Sequence, residues 1–486
     1  MENTQRVWAK IPLFDDYWID FKKNVIRRWY QPKLLSQYRD PNFGGCYQSA
    51  CWSPEQGKYL LWHEYLVDPL DDEYRYLAVA ASDDGYTWKE LNVCENPDPA
   101  NKIFPNTVYL GNPGLHGTHV TYDEFDPDPN RRYKLMGANH AKNYPEFGIE
   151  NSAVYVTFSP DGIHWKEAEE CKVHPNTSDT LNCLYYNPVT KEYNAIIRAS
   201  YVERRIGQTT SKDLVHWTRP KVIIHPGAEF NDDAYATQLY GMSVKWMGGY
   251  FLGCLWRYYT SCADFDFSKM RGFQDTELMY SYDGEHWMHT SGRALVERPN
   301  MPELGSSSLL FSAMYENKED TKLFLVASGT CTMHASMEEY QKQKKVDRPS
   351  NGVLTYEIRK DGFCGLEANT TDGLIVTKSF ELVEPELYIN ANATFGTVRF
   401  SIIDHRGNTY EGFGFDDCVP LVEDEVRHAI TFKEHSLDEL VGKRIRLSIR
   451  MDGAVLHCIE GAIRPWIRYP QVSINDPVQI TYDAQR

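Results

Sequence analysis

Ser82-Asp83-Asp84-Gly85-Tyr86-Thr87-Trp88 is a phrase that this chain repeats. It returns as Ser159-Pro160-Asp161-Gly162-Ile163-His164-Trp165 and as Ser281-Tyr282-Asp283-Gly284-Glu285-His286-Trp287. A worn copy reads Ser211-Lys212-Asp213-Leu214-Val215-His216-Trp217. Every copy keeps Ser, Asp two residues on, and Trp four residues after that. The three clearest copies each follow an apolar, β-prone run: Tyr76–Ala80, Ala153–Phe158 and Glu277–Tyr280. Asp-Gly after a strand is a hairpin signal, because the turn needs a residue that tolerates positive φ. A hairpin recurring at a long period marks a repeat architecture.

Working outward from the phrase, each copy closes a unit with the same grammar. Gly45–Trp52 and Tyr59–Tyr65 are strands flanking a turn at Ser53–Lys58. The pattern recurs at Thr118–Tyr122 and Tyr133–Met136, at Leu181–Tyr186 and Tyr193–Arg198, and at Ala236–Met242 and Tyr250–Trp256. A fifth unit has Leu309–Tyr315, Lys322–Ala327 and Val353–Ile358, and ends in Arg359-Lys360-Asp361-Gly362-Phe363, where the phrase has lost its Ser and Trp. Five four-stranded units over 40–370 predict an all-β chain with a five-bladed β-propeller, a ring that leaves few strand edges open. From Thr371 the pattern changes to alternating strands at Glu386–Asn390, Gly396–Ile403 and Arg444–Met451, which predict a C-terminal antiparallel β-sandwich over 371–486. Residues 1–39 are expected to form a lead-in arm. The charged stretch Met337–Lys345 is expected to be a solvated helix on a lid.

Bulk properties restrict the function. The 486 residues carry a formal charge of -17, which argues against nucleic acid and anionic membranes as partners. Aromatic residues make up 13% of the chain, including 32 Tyr and 12 Trp, as many short strands or a sugar-binding cleft would require. No apolar run is long enough to span a bilayer. Met1–Trp8 lacks the charged and apolar regions of a signal peptide, so a cytoplasmic enzyme is expected, or a secreted one if a leader has been trimmed away. The 11 cysteines form no CxxC pair and read as reduced thiols. Neither they nor the histidines have metal-ligand spacing, and no metal or cofactor is expected.

The topology of a blade predicts where the chemistry sits. The start of the first strand and the end of the second share one end of the ring, and the Ser-Asp-Gly-Trp turns lie at the other. The phrase is therefore turn chemistry, with no catalytic role. First-strand starts bring Asp40, His116, His119, Asp179, Asp232 and Asp233 to the opposite mouth. Second-strand ends bring His63, Glu64, Arg198, Trp256, Arg257 and Tyr258, and the following loops add Glu203, Arg204 and Arg205. Converging carboxylates, arginines and aromatics are the inventory of a glycosidase. One acid protonates the leaving oxygen, and one carboxylate acts as nucleophile or base. Blander roles stand beside these. Asp40 precedes Pro41 and can cap a turn, Asp232 and Asp233 point opposite ways if extended, and Glu64 with His63 can form a surface pair. Arg198, ending an apolar strand near the hub, needs a partner, which Asp179 or Glu203 can supply.

The five units, the Ser-x-Asp-Gly-x-x-Trp hairpins and the trailing β-rich part resemble the five-bladed propeller glycoside hydrolases of families 32, 43, 68, 117 and 130. Asp126–Lys134, Ser159–Trp165, Arg359–Phe363 and Gly412–Cys418 look more closely like bacterial proteins described as family 32-like. The chain departs from family 32 in having no Arg-Asp-Pro in the second unit and no Glu-Cys in the third. What the resemblance implies is an acid in the first blade, an orienting Asp nearer the middle and a further acid in the third or fourth. Asp40, Asp179 and Asp232 or Asp233 are the matching positions, with Glu203 in reserve. The expected activity is hydrolysis of a terminal glycosidic bond, with long loops at 257–277 and 329–350 narrowing the mouth. The rivals are a phosphorylase on the same fold and a non-catalytic carbohydrate-binding propeller. The expected partners are a carbohydrate and, through the β-sandwich, a second copy of the chain.

Overall fold

The computed structural model describes residues 8–39, 43–68, 71–110, 115–138, 154–166, 172–174, 178–198, 204–226, 237–260, 272–334, 351–369 and 372–465. Their regular structure is almost wholly β, and helical pieces such as Pro99–Asn101 and Leu437–Leu440 are short 3-10 turns. The Met337–Lys345 stretch lies outside the described residues. The chain forms two compact units, Gln31–Lys360 and a second made of Met1–Tyr30 with Asp361–Arg486.

The larger unit is a ring of antiparallel meanders. Blade 1 comprises Phe43–Ser53, Lys58–Asp68, Asp71–Ser82 and Lys89–Glu90. Blade 2 has His116–Tyr122, Tyr133–Ala138, Val154–Ser159 and Lys172–His174. Blade 3 has Cys183–Asn187, Glu192–Arg198, Ile206–Ser211 and Lys221–Ile224. Blade 4 has Thr237–Trp246, Phe251–Thr260, Gly272–Ser281 and Met288–Ala294. Blade 5 has Ser308–Glu316, Lys322–Thr330 and Asn351–Arg359, and its outer strand is Lys33–Tyr38 from the start of the chain.

The inner strands touch in the order of the blades, and the fifth returns to the first. Because they splay like spokes, side chains bridge them where a continuous backbone ladder does not. Ser49 Oγ accepts from Val120 N at 2.8 Å, and Thr121 Oγ1 donates to Leu184 O at 2.5 Å. Thr180 Oγ1 donates to Tyr240 O, Ser243 Oγ to Phe311 O at 3.2 Å, and Ser312 Oγ to Gln48 Oε1 at 3.0 Å. Every blade junction is thus closed by at least one such bond, each contributing about 1 kcal/mol net.

The repeated phrase is a turn, as its chemistry predicts. In all four copies the Ser hydroxyl accepts from the amide three residues on, at 2.8–2.9 Å. The Asp carboxylate then caps the next two amides at 2.7–3.0 Å. The residue between has positive φ in each, including Leu214 at 67° in the worn copy. The turn also joins blades: Trp62 Nε1 donates to Gly162 O at 2.7 Å, and Tyr315 OH donates to Gly85 O at 2.6 Å.

The fifth copy loses Ser and Trp for a topological reason. After Arg359 the chain does not turn back into an outer strand, because Lys33–Tyr38 already fills that place. With no hairpin to close, neither residue has a partner to serve. The segment 1–39, expected as an arm, is instead divided between the units. Ala9–Pro12, Ile19–Lys23 and Ile26–Trp29 pair within the second unit, and Lys33–Tyr38 pairs in the ring. The expected boundary at 370/371 falls at 360/361, because Cys364–Ala368 pairs with Ile26–Trp29 and with Ala454–Pro465.

In the second unit the strand order runs Ile19–Lys23, Gly373–Thr377, Arg444–Asp452, Phe380–Asn392, Ala454–Pro465, Cys364–Ala368, Ile26–Trp29. Thr397–Ile403 adds to Arg444–Asp452, and Asp424–Ala429 adds to Phe380–Asn392. Alternate residues such as Leu447, Ile449, Phe400 and Ile459 are fully buried in one core, the period-2 burial that a half-buried strand requires.

Candidate functional site

At the end of the ring where first strands begin, the segment from Ser178 to Asn182 carries Asp179. Asn182 Nδ2 holds this segment by donating to Thr180 O at 2.9 Å, Gly117 O at 3.0 Å and Ser178 O at 3.2 Å. Gly117, at φ +64°, lies directly against it, and a Cβ there would stand 1.8 Å from Thr180 O. That close approach sets the neighbouring His116 onto Asp179. His116 Nε2 lies 2.8 Å from Asp179 Oδ1, and Arg198 Nη1 donates to Asp179 Oδ2 at 3.1 Å.

Asp179 is 39% exposed, whereas His116 and Arg198 are buried. The carboxylate is thus presented outward by two buried supports. Burial opposes the Arg198 charge, but Asp179, with Tyr240 and Tyr47, outweighs it and raises its pKa. The Arg198 guanidinium sits 5.0 Å from the Tyr240 ring centre, and the Arg204 guanidinium sits 5.5 Å from the same ring. Tyr47 OH lies 3.5 Å from His116 Nε2, and its ring centre is 6.1 Å from that of Trp256. Among the described residues, Arg198 Nε and Nη2 and Arg204 Nε are buried without a hydrogen-bond partner.

Of the expected catalytic residues, Asp179 falls in this cluster. Asp40, Glu203, Asp232 and Asp233 lie outside the described residues. Several expected substrate contacts are engaged elsewhere. Glu64 is fully buried, accepts from Thr118 N at 2.6 Å and Thr118 Oγ1 at 2.8 Å, and pairs with Arg75 at 3.2 Å. It ties blade 1 to blade 2 and is no surface pair with His63, which is itself fully buried beside Tyr38. Arg257 forms a buried ion pair with Glu277 at 3.0 Å, and His289 Nδ1 lies 2.8 Å from the other Glu277 oxygen. This triad spans blade 4 sideways, because alternate residues of a strand face opposite sides of the sheet. Trp256 is fully buried and donates to Phe311 O at 2.7 Å. Tyr258 is fully buried against Tyr240 and His334. These five side chains are buried and offer no open face. The expected loop at 257–277 is also shorter, since Trp256–Thr260 and Gly272–Thr276 pair in register. Tyr47 and Tyr240 went unnoticed in the sequence. Each sits mid-strand, where an aromatic residue reads as ordinary core.

His119 points away from this cluster. It lines a cavity of about 780 Å³ at the other end of the ring, with Trp52, Tyr122, Tyr186 and Trp246. Burial lowers its pKa to about 4, and its ring nitrogens face Thr121 Oγ1 at 3.1 Å and Cys183 Sγ at 3.8 Å. No group of metal-ligating side chains is found among the described residues.

No family model matches the chain, and no curated protein matches it. Solved structures do. An N-acetylgalactosamine deacetylase from F. plautii is 12% identical, with a TM-score of 0.44 over 69% of this chain and 96% of that one. A glycosyl hydrolase from Bacteroides ovatus is 13% identical, with a TM-score of 0.40 over 73% of this chain and 92% of that one. An exo-beta-1,3-galactanase from Phanerochaete chrysosporium is 9% identical, with a TM-score of 0.40 over 89% of this chain and 100% of that one. The propeller architecture itself rests on the closed ring of inner strands.

Proposed function

We propose that the chain is a glycoside hydrolase that cleaves a terminal glycosidic bond at the mouth where the first strands begin. The observation that carries this reading is Asp179, a part-exposed carboxylate held between buried His116 and buried Arg198. A neighbouring guanidinium, here Arg198, favours the ionised form of a carboxylate. An ionised Asp179 can face the positive charge that develops on the sugar in an oxocarbenium-like transition state. The proton for the leaving oxygen then comes from a second acid. Asp40, Glu203, Asp232 and Asp233, the further acids expected at this mouth from the sequence, are the candidates. The substrate is a carbohydrate, and no cofactor enters the scheme.

A phosphorylase is the second reading, and one observation favours it. Among the described residues, Arg198 Nε and Nη2 and Arg204 Nε have no acceptor, and phosphate oxygens would satisfy such nitrogens. The test is a screen of aryl glycosides and short oligosaccharides with and without inorganic phosphate. Release of free sugar independent of phosphate supports the hydrolase. A requirement for phosphate, with sugar phosphate as product, replaces it with the phosphorylase. Unaltered turnover by Asp179→Asn removes Asp179 from either mechanism.

A further inference from the structure

The cavity at the other end of the ring lies away from Asp179 and Arg198, and its walls follow a pattern. Blades 1 to 4 each place one aromatic residue at or next to the last position of the inner strand: Trp52, Tyr122, Tyr186 and Trp246. All four are part-exposed: each packs one side on a neighbouring ring, such as Tyr59, Tyr133, Tyr193 or Phe251, and leaves another to the cavity. Between them, blades 4 and 5 supply Lys245 and Glu316, an ion pair at 2.9 Å whose side chains keep 19% and 32% of their exposure. A volume near 780 Å³ is in the range of sites that enclose small organic ligands.

We infer that this cavity is a second binding site, for a neutral mono- or disaccharide, separate from the proposed catalytic mouth. Two features select that class. Pyranose rings present flat C–H surfaces that pack on aromatic side chains, here available from four directions. Vicinal hydroxyls donate and accept at once, and Lys245 offers donors beside the acceptors of Glu316. Glu316 is held ionised: burial opposes this, but Lys245 outweighs it and lowers its pKa. The pair is itself balanced, and with Asp123, Glu124 and Lys318 also on the wall the cavity has no excess of positive charge to favour an anionic ligand. The site shares no residue with the catalytic proposal and rests on it only for the class of ligand.

Isothermal titration of the full chain and of its Asp179→Asn variant with galactose, mannose, lactose and mannobiose tests this. The expected result is that Asp179→Asn still binds at least one of these sugars. Trp246→Ala should then weaken that binding at least about tenfold. Phe125→Ala should weaken it too; Phe125 also lines the cavity and is 68% exposed, so its removal spares the fold. Loss of all binding in Asp179→Asn would overturn the inference, because the sugar would then sit only at the catalytic mouth. So would binding unaltered by both Trp246→Ala and Phe125→Ala, or binding of none of the sugars at millimolar concentration. Failure of the hydrolase reading has a different signature: no turnover of any glycoside, with sugar binding still sensitive to Trp246→Ala.

Discussion

Arg198 Nη1 donates to Asp179 Oδ2 at 3.1 Å, joining the end of one blade 3 strand to the segment that leads into another. The guanidinium is buried and the carboxylate is not. The pair therefore works as a buried anchor for an exposed anion. Removing the anion leaves a buried cation with one more unsatisfied donor.

Asp179→Asn should lower kcat/KM by about 10²- to 10⁴-fold on any glycoside the wild type cleaves. It should also cost about 1–3 kcal/mol of stability through the unmatched Arg198 charge. Steady-state kinetics and urea denaturation measure the two effects separately. A stability loss without a kinetic one would leave Asp179 a purely structural residue.

The contact between Gly117 and Thr180 predicts a coupled defect. Gly117→Ala adds a Cβ 1.8 Å from a backbone oxygen at φ +64°, so the Asp179 segment must move. A loss of more than about 3 kcal/mol is expected, as strain and overpacking combine. Turnover should fall with it. Gly57→Ala is the control. It has a similar φ of +61° but open space around it, and should cost only about 1–2 kcal/mol. Equal melting temperatures for the two variants would contradict the contact.

Closure of the ring by Lys33–Tyr38 predicts long-range sensitivity near the start of the chain. Ser36 pairs with Thr355 across the ladder and donates its hydroxyl to Tyr86 O. Ser36→Pro removes that side chain and interrupts the strand, at a cost of about 3 kcal/mol or more. Thermal unfolding monitored by near-UV circular dichroism should shift to lower temperature. An unchanged transition would show that the outer strand of blade 5 is dispensable.

His119 predicts a limb in the acid stability profile. Burial holds its folded pKa at about 4, below an unfolded value of about 6.5. The unfolded chain therefore binds the proton first, and stability falls as pH drops from about 6.5 towards 4. The loss approaches about 3 kcal/mol, on the order of the shift itself. The carboxylates of the turns contribute lower: hydrogen bonds from its turn outweigh burial to hold Asp84 at about 2, so its contribution is lost only below that window. His119→Gln should flatten the profile between pH 6.5 and 4 relative to wild type. A wild-type profile already flat there would contradict the burial of a neutral imidazole.

What the sequence determined by itself was local. Ser, Asp, Gly and Trp at fixed spacing are enough to specify a hairpin, because their bonds run only two or three residues along the chain. Counted in order, those hairpins announced an all-β propeller, and strand alternation placed Asp179, Arg198 and His116 near one mouth. Three things came only with the tertiary structure. Lys33–Tyr38 pairs with Val353–Glu357, and so distant a pairing leaves no mark on either segment alone. Glu64 and Arg257 turned to Arg75 and Glu277, because a buried charge goes wherever its countercharge is, and that is set by packing of the strands. Trp52, Tyr122, Tyr186 and Trp246, scattered in the sequence as ordinary strand aromatics, surround one cavity because closing the ring brings equivalent ends of the inner strands together.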